Sequence, residues 1–235
     1  LPKRGGAWRS GDCRACQVRA WSICSALSDE ELAALELVQR RREISRGQAL
    51  FFEGDAAEQV YILTGGTVRL TKMTPDGRRQ ITGFRIAGDL IGLAHRGSYH
   101  YTAEAIDAVS ACRIGQRAFG QLCERFPGLQ RRLLRHVCDE LAQAQEQMLS
   151  LGRRSVRERL VILLLSLRGR IAEHGHADSA IHLPMRRSDI ADFIGTTVET
   201  VSRILTRLRK EGLIELPRSD LIVVKNDEAM EDIAA

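Results

Sequence analysis

The segment that most constrains this chain spans residues 188–212, SDIADFIGTTVETVSRILTRLRKEG. Its pattern predicts two short helices joined by a tight turn at Gly195. In the second helix Val201, Leu205 and Leu208 recur at helical spacing and form an inward stripe. Glu199, Ser202, Arg203 and Thr206 recur at helical spacing on a different side. That outward face suits base-pair edges. Arg forks onto the O6 and N7 of guanine, Glu accepts from the amino group of cytosine, and Ser reaches base or phosphate. The plain alternative is an amphipathic helical hairpin with a solvated polar face. Two neighbouring features weigh against it. Thr196 and Glu199 have capping-box spacing, which starts the helix where base-reading residues should begin. After Gly212, LIELPRSDLIVVKN holds two short β-branched runs around a Pro-Arg-Ser-Asp turn, the pattern of a hairpin. The expectation is a helix-turn-helix followed by a wing, with the second helix in a major groove.

Basic residues cluster at the same place. Arg186, Arg187, Arg207, Arg209 and Lys210, with Thr197 at the turn, are the expected phosphate contacts. Glu199, Ser202 and Arg203, with Val198 beside them, are the expected base readers. A net charge of +5 is a modest basic bias, compatible with a polyanionic partner.

The rest of the chain divides by pattern. Its 235 residues suffice for two domains, and 44% hydrophobic with 28% charged residues is the composition of a soluble globular protein. Residues 1–27 are basic and cysteine-bearing and lack the apolar core of an export signal. The longest apolar run, residues 160–165, is too short to span a bilayer. The expected location is therefore the cytoplasm, with no membrane partner. Ser28 caps a helix read as SDEELAALELVQRR. From Glu43 to Arg117, short strands (ALFF, QVYIL, TVRLTKM, RRQITGF, AVSACRI) alternate with glycine-marked turns, which predicts an all-β barrel or jelly roll over 28–126. A long helix is expected over 127–152. Leu134, Val137, Leu141, Ala144, Met148 and Leu151 keep the alternating three-and-four spacing of a coiled-coil seam, the mark of a homodimer. Part of that helix is also expected to pack on its own β domain. Residues 153–235 form the second domain, built on the apolar helix SVRERLVILLLSLRGRI and interrupted by a polar loop at 173–180. The fold class is α+β.

Cys13, Cys16 and Cys24 are spaced C-x2-C-x7-C. Such thiols suit a zinc ion or an iron–sulfur cluster, with a fourth ligand still wanted. Reduced, unliganded thiols are the alternative. Cys123 and Cys138 lie in helical stretches, where cysteine is usually a small hydrophobe. Cys112 falls in a strand of the β domain, within reach of the N-terminal segment. The histidines show no ligand spacing: His95, His100, His136 and His182 stand singly, and His174 and His176 lie in the polar loop. No P-loop, GxSxG or HExxH motif is present, so no catalytic constellation stands out.

The order of parts now resembles a known family. A β-roll with GGTVRL and AGDLIGL, a long dimer helix and a winged helix containing TVETVSR are similar to the CRP/FNR family of bacterial transcription regulators, and DGRRQITGF with VETVSR looks like its FNR branch. The resemblance runs from Cys13 to the C-terminus. It implies a cyclic-nucleotide-binding-like double-stranded β-roll, a dimerisation helix and a C-terminal winged helix. It also implies a dimer on a TTGAT-N4-ATCAA-like palindrome, contacts to RNA polymerase, and activation of transcription. Its [4Fe-4S] cluster would be held by Cys13, Cys16, Cys24 and Cys112, making the regulator responsive to oxygen. The x7 spacing looks like the alphaproteobacterial FnrN, FnrL and FixK-type members. Enterobacterial FNR has an aspartate on its dimer helix where this chain has Ala144, which implies a protein that dimerises with or without the cluster. The Arg-Ser pair that grips a cyclic phosphate is missing from GDLIGLAHRGSYHYTAEA, where Arg96 with Ser98 is a poor substitute, so no cyclic nucleotide is expected. The rival readings are a FixK-like regulator without cofactor, controlled by its expression or by cysteine oxidation, and, more remotely, an iron–sulfur oxidoreductase.

Overall fold

The computed structural model describes residues 12–94, 97–173 and 180–235. Expectations for residues 1–11, for His95 and Arg96, and for His174 and His176 in the polar loop lie outside the described residues. The chain divides into two compact units. The first is Leu1–Lys72 with Phe84–Asp139, and the second is Met73–Gly83 with Glu140–Ala235.

In the first unit a 3-10 turn (Ile23–Ala26) precedes α1 (Asp29–Val38). Ser28 starts α1 as expected: its hydroxyl accepts from the Glu31 N–H while the Glu31 carboxylate accepts from the Ser28 N–H. The helix ends at Val38, not within the arginines. Gln39 onward is instead strand β1 (Gln39–Ile44). The reason is tertiary: β1 pairs antiparallel with β8 (Val109–Gly115) from Gln39↔Ile114 to Ile44↔Val109, and both of its ends are buried. This ladder overrides the helical propensity of the run.

Two four-stranded antiparallel sheets form the β-roll, and they do not close into one barrel. One has the order β1, β8, β3 (Gln59–Gly65), β6 (Leu90–Ile91). The other is β2 (Ala49–Phe51), β7 (Thr102–Ala105), β4 (Val68–Met73), β5 (Arg79–Arg85). One core of the roll is aromatic, with Phe51 stacked on Tyr99 at 3.8 Å between ring centroids. Gly88, at φ 98°, leaves the room in which Trp21 lies, so the N-terminal segment packs onto the roll at that turn.

Helix α2 (Gln116–Arg125), the helical stretch expected around Cys123, leads into α3 (Pro127–Arg153), the expected long helix. Its start and its middle behave differently. Leu129 is buried, with Leu133 packed beside it, in a core shared with Ile23, Cys24, Leu27, Leu32 and Leu35. From Leu134 onward the seam residues Leu134, Val137, Leu141, Met148 and Leu151 are 39–65% exposed on the single chain, and Ala144 is exposed too.

The second unit is built on α4 (Val156–Glu173), which buries Leu160, Val161, Leu163, Leu164 and Leu167. Next come β9 (Ala180–His182), α5 (Arg187–Ile194), α6 (Val198–Lys210), β10 (Ile214–Arg218), β11 (Leu221–Val224) and α7 (Asp227–Ala234). The wing hairpin β10–β11 stands where its turn residues put it, and β9 adds a third strand that the sequence did not announce. Helix α7 was also unannounced. It has only Met230 as a buried anchor and is held by Arg168 on Asp227 and by Arg154 on the Ala234 carbonyl. Among the described residues no helix is long and apolar enough to cross a membrane.

Candidate functional site

Gly195 closes α5 in the left-handed region, at φ 69°. Its N–H and that of Thr196 both bond to the Ala191 carbonyl. Thr196 is therefore part of the α5 ending, and the cap of α6 moves one residue on. Thr197 is the N-cap, its hydroxyl accepting from the Thr200 N–H at 3.3 Å. The expected Thr196–Glu199 capping box does not form. Glu199 sits one position short of the third helical residue. Bonds from its own backbone N–H and from Thr197 hold its carboxyl below the usual range, so it stays an ionised acceptor.

Val201, Leu205 and Leu208 are buried beneath α6. Val198, Glu199, Ser202 and Arg203 are exposed on the opposite side. The Ser202 hydroxyl donates to the Val198 carbonyl and the Thr206 hydroxyl to Ser202, both at 2.9 Å, which fixes the two hydroxyls against the helix. An open cleft runs along this face, lined by Ser202, Arg203, Thr206, Arg207 and Lys210.

The surrounding cations differ in freedom. Arg186, Arg209 and Lys210 are exposed. Arg207 is exposed but bonds Glu211 at 2.8 Å, and Arg157 reaches the same carboxylate at 2.6 Å. Arg187 is half-buried and donates to the Ser219 carbonyl in the wing turn at 3.1 Å. Desolvation lowers its pKa. Its guanidinium braces α5 against the wing. A second brace was missed from sequence. Asp189, only 1% exposed, accepts from the Arg186 N–H at 3.1 Å and from Arg79 at 3.2 Å. Arg79 also bonds Asp192, and Gln80 bonds the Asp192 carbonyl at 2.7 Å. Arg79 is 110 residues from Asp189, so no local signal could pair them.

The cysteines form a second constellation, in the first unit. The C-x2-C stretch is a turn in which the Cys16 N–H meets the Cys13 carbonyl at 3.4 Å. Cys24 is buried in the core that α1, α2 and the start of α3 share, and Cys13 and Cys112 pack against that core. Cys112 lies on β8, between Arg41 of β1 and Ile62 of β3. Cys13, Cys24 and Cys112 are each pushed up to about 12, chiefly by burial. Beyond burial, Cys112, Glu36 and Cys16 raise Cys13; a hydrogen bond with Ser22 opposes the rise at Cys24, to which Cys13 and Cys16 add; and Cys16 and Cys24 raise Cys112. The four thiols thus lie in electrostatic range of one another, with Cys13, Cys24 and Cys112 at one core. Among the described residues no three His, Cys, Asp or Glu side chains are grouped so as to hold a single metal ion. Cys123 is buried on α2 and Cys138 exposed on α3, both apart from this set. The cysteine segment also approaches α3 at Gly128, where a Cβ would lie 2.9 Å from the Ala26 carbonyl.

Comparison with known proteins agrees with this anatomy. A Crp-like helix-turn-helix domain matches residues 158–233, and a cyclic nucleotide-binding domain matches residues 41–126. The nitrogen fixation regulation protein FixK of Bradyrhizobium diazoefficiens is 40% identical over 204 residues, 87% of this chain and 86% of that protein. The fumarate and nitrate reduction regulatory protein of Escherichia coli is 32% identical over 225 residues, covering 94% of this chain and 90% of that protein. Among solved structures, FixK2 from Bradyrhizobium japonicum superposes with a TM-score of 0.79 at 32% identity, covering 84% of this chain and 98% of that one.

Proposed function

The chain belongs to the CRP/FNR family of transcription regulators, and on that premise we propose that it reads an FNR-type palindrome as a homodimer and answers to oxygen through a [4Fe-4S] cluster. It is a DNA-binding regulator and not an enzyme, since its relatives are regulators, and the oxidoreductase reading falls away. In the proposed complex Glu199, Ser202 and Arg203, flanked by Val198, meet base edges of a TTGAT-N4-ATCAA-like site. Arg186, Thr197, Arg207, Arg209 and Lys210 meet phosphates. Arg187 acts more through the wing it braces than through a phosphate. Two copies join along the exposed α3 seam, whose lack of a charge at Ala144 favours dimerisation with or without the cluster. The bound dimer contacts RNA polymerase and activates transcription in the cytoplasm. The roll's aromatic core is read as a packed scaffold and not as a nucleotide receptor.

Cys13, Cys16, Cys24 and Cys112 would hold the cluster. The observation that carries this reading is that Cys13, Cys24 and Cys112 meet at the core that also receives the start of α3, with Cys16 in electrostatic range of all three. Four thiols in mutual electrostatic range are the ligand type that an iron–sulfur cluster takes. When bound, the group supplies oxygen sensitivity, because its irons and sulfides are lost on oxidation. The chain's own part is mechanical. Cys24 lies two residues before Ala26, whose carbonyl faces Gly128 in the first turn of α3, so a change in the thiol segment reaches the dimer helix through one shared core. Anaerobic purification tests the reading: a brown protein with about four iron and four sulfide per chain is expected.

A second reading, a regulator without cofactor, is supported by Cys13, Cys24 and Cys112 being held protonated by burial. It predicts colourless protein that binds the palindrome equally well in air and without it.

A further inference from the structure

The cysteine spacing says nothing about what holds the N-terminal pair in place, but the structure contains a tether. The Cys13 N–H donates to Glu36 Oε1 at 2.6 Å across 23 residues of chain, in a half-buried setting. Glu36 lies in the last turn of α1, the helix that buries Leu32 and Leu35 in the core receiving Cys24. Three residues later the chain enters β1, whose Arg41 stands opposite Cys112 in the β1–β8 ladder. Glu36 therefore links the turn that carries Cys13 to the element leading into the strand beside Cys112. Because the Cys16 N–H bonds back to the Cys13 carbonyl, whatever holds Cys13 holds both members of the pair. The far end of the segment has its own anchors: Arg19 reaches the Leu27 carbonyl at 3.1 Å and pairs with Asp29 at 2.7 Å.

We propose that Glu36 is a positioning residue for the thiol site, its carboxylate tying the Cys13–Cys16 turn to α1 and so setting where both thiols stand relative to Cys112. The proposal rests on reading these cysteines as the cluster site. A turn held in advance does not have to be ordered when the group binds, so the tether favours loading and slows loss.

The experiment uses the full-length protein as wild type, Glu36→Ala and Glu36→Gln. Glutamine keeps an acceptor but drops the charge, and alanine drops both. Each reduced, metal-free protein is treated with iodoacetamide, and the labelling rate at every cysteine is read by mass spectrometry. Glu36→Ala is expected to label several-fold faster at Cys13 and Cys16, with Cys112 unchanged as the internal sign of an intact roll. Glu36→Gln is expected to stay close to wild type. After anaerobic reconstitution, Glu36→Ala is expected to lose its visible absorbance in air several-fold faster than the other two. Wild-type labelling in Glu36→Ala overturns the proposal, as does equal acceleration in Glu36→Gln, which would make charge the cause. Faster labelling of Cys112 alongside the pair also overturns it, because the effect would then be loss of fold. If wild type takes up neither iron nor sulfide, the cluster reading fails, while the labelling result still decides whether the tether exists.

Discussion

At position 203 one exposed guanidinium on α6 has to distinguish bases, and its neighbours show how the helix prepares for that. Ser202 and Thr206 are bonded back to the helix, and Glu199 is held ionised, so the face enters a groove largely ordered. Arg203→Ala is expected to cost about 1–3 kcal/mol of binding and to relax preference at one base pair, read by gel shift against single-base variants of the site. Lys210→Ala should weaken all sequences alike and reduce the salt slope by about 1. Arg187→Ala should behave differently again. Its bond to Ser219 is structural, so the main effect is about 1 kcal/mol of stability, read by urea unfolding of the free protein. The thiols give a pH prediction. Burial raises Cys13, Cys24 and Cys112 in the fold to about 12, well above the ordinary thiol value, so the folded state keeps protons that the unfolded chain releases first. That stability is fully present below the unfolded value and is lost as pH rises toward the folded one. Urea midpoints of the reduced, cluster-free protein should fall across that window, and Cys24→Ala should flatten the fall. Among single residues, the inward stripe of α6 and the turn at Gly195 were legible because their spacing is local. Asp189 with Arg79, Arg187 with Ser219 and Cys13 with Glu36 were not, because each pairs residues distant in sequence.

Helix α3 is the element on which the account depends most. Its seam was readable from period alone, and the single chain leaves that seam exposed. Leu141→Glu is expected to give monomers in sedimentation, with palindrome binding falling steeply. Ala144→Asp should weaken the dimer more mildly and make it depend on the cluster. The first turn of α3 carries a different duty. Gly128→Ala places a methyl group 2.9 Å from the Ala26 carbonyl, so either the cysteine segment or the helix start must shift. A changed oxygen response with an unchanged dimer constant is the expected result. Element ends were the least legible feature. Gln39-Arg40-Arg41 reads as helix by composition and becomes strand because β8 offers it a ladder. The short strands β6, β7 and β9 have too few residues to show a period, and packing alone defines them.

For the whole molecule, family membership fixes DNA binding, and the arrangement of thiols motivates the sensing. The order of β-roll, long helix and winged helix was readable because each has its own period and its own turns. What the cysteines hold was less readable, since thiol spacing alone does not separate zinc, cluster and free thiol. Cys13, Cys24 and Cys112 pack at one core with Cys16 in electrostatic range of all three, and that placement motivates the proposed cluster. The most direct test is one titration performed twice on one anaerobically reconstituted sample: binding to a TTGAT-N4-ATCAA duplex before and after exposure to air, with iron, sulfide and oligomeric state measured alongside. Tight binding with about four iron and four sulfide per chain is expected before exposure, then loss of both the cluster and the tight binding while the protein stays dimeric. A protein that never acquires iron and sulfide, or that loses them and binds the duplex as tightly as before, would contradict this expectation.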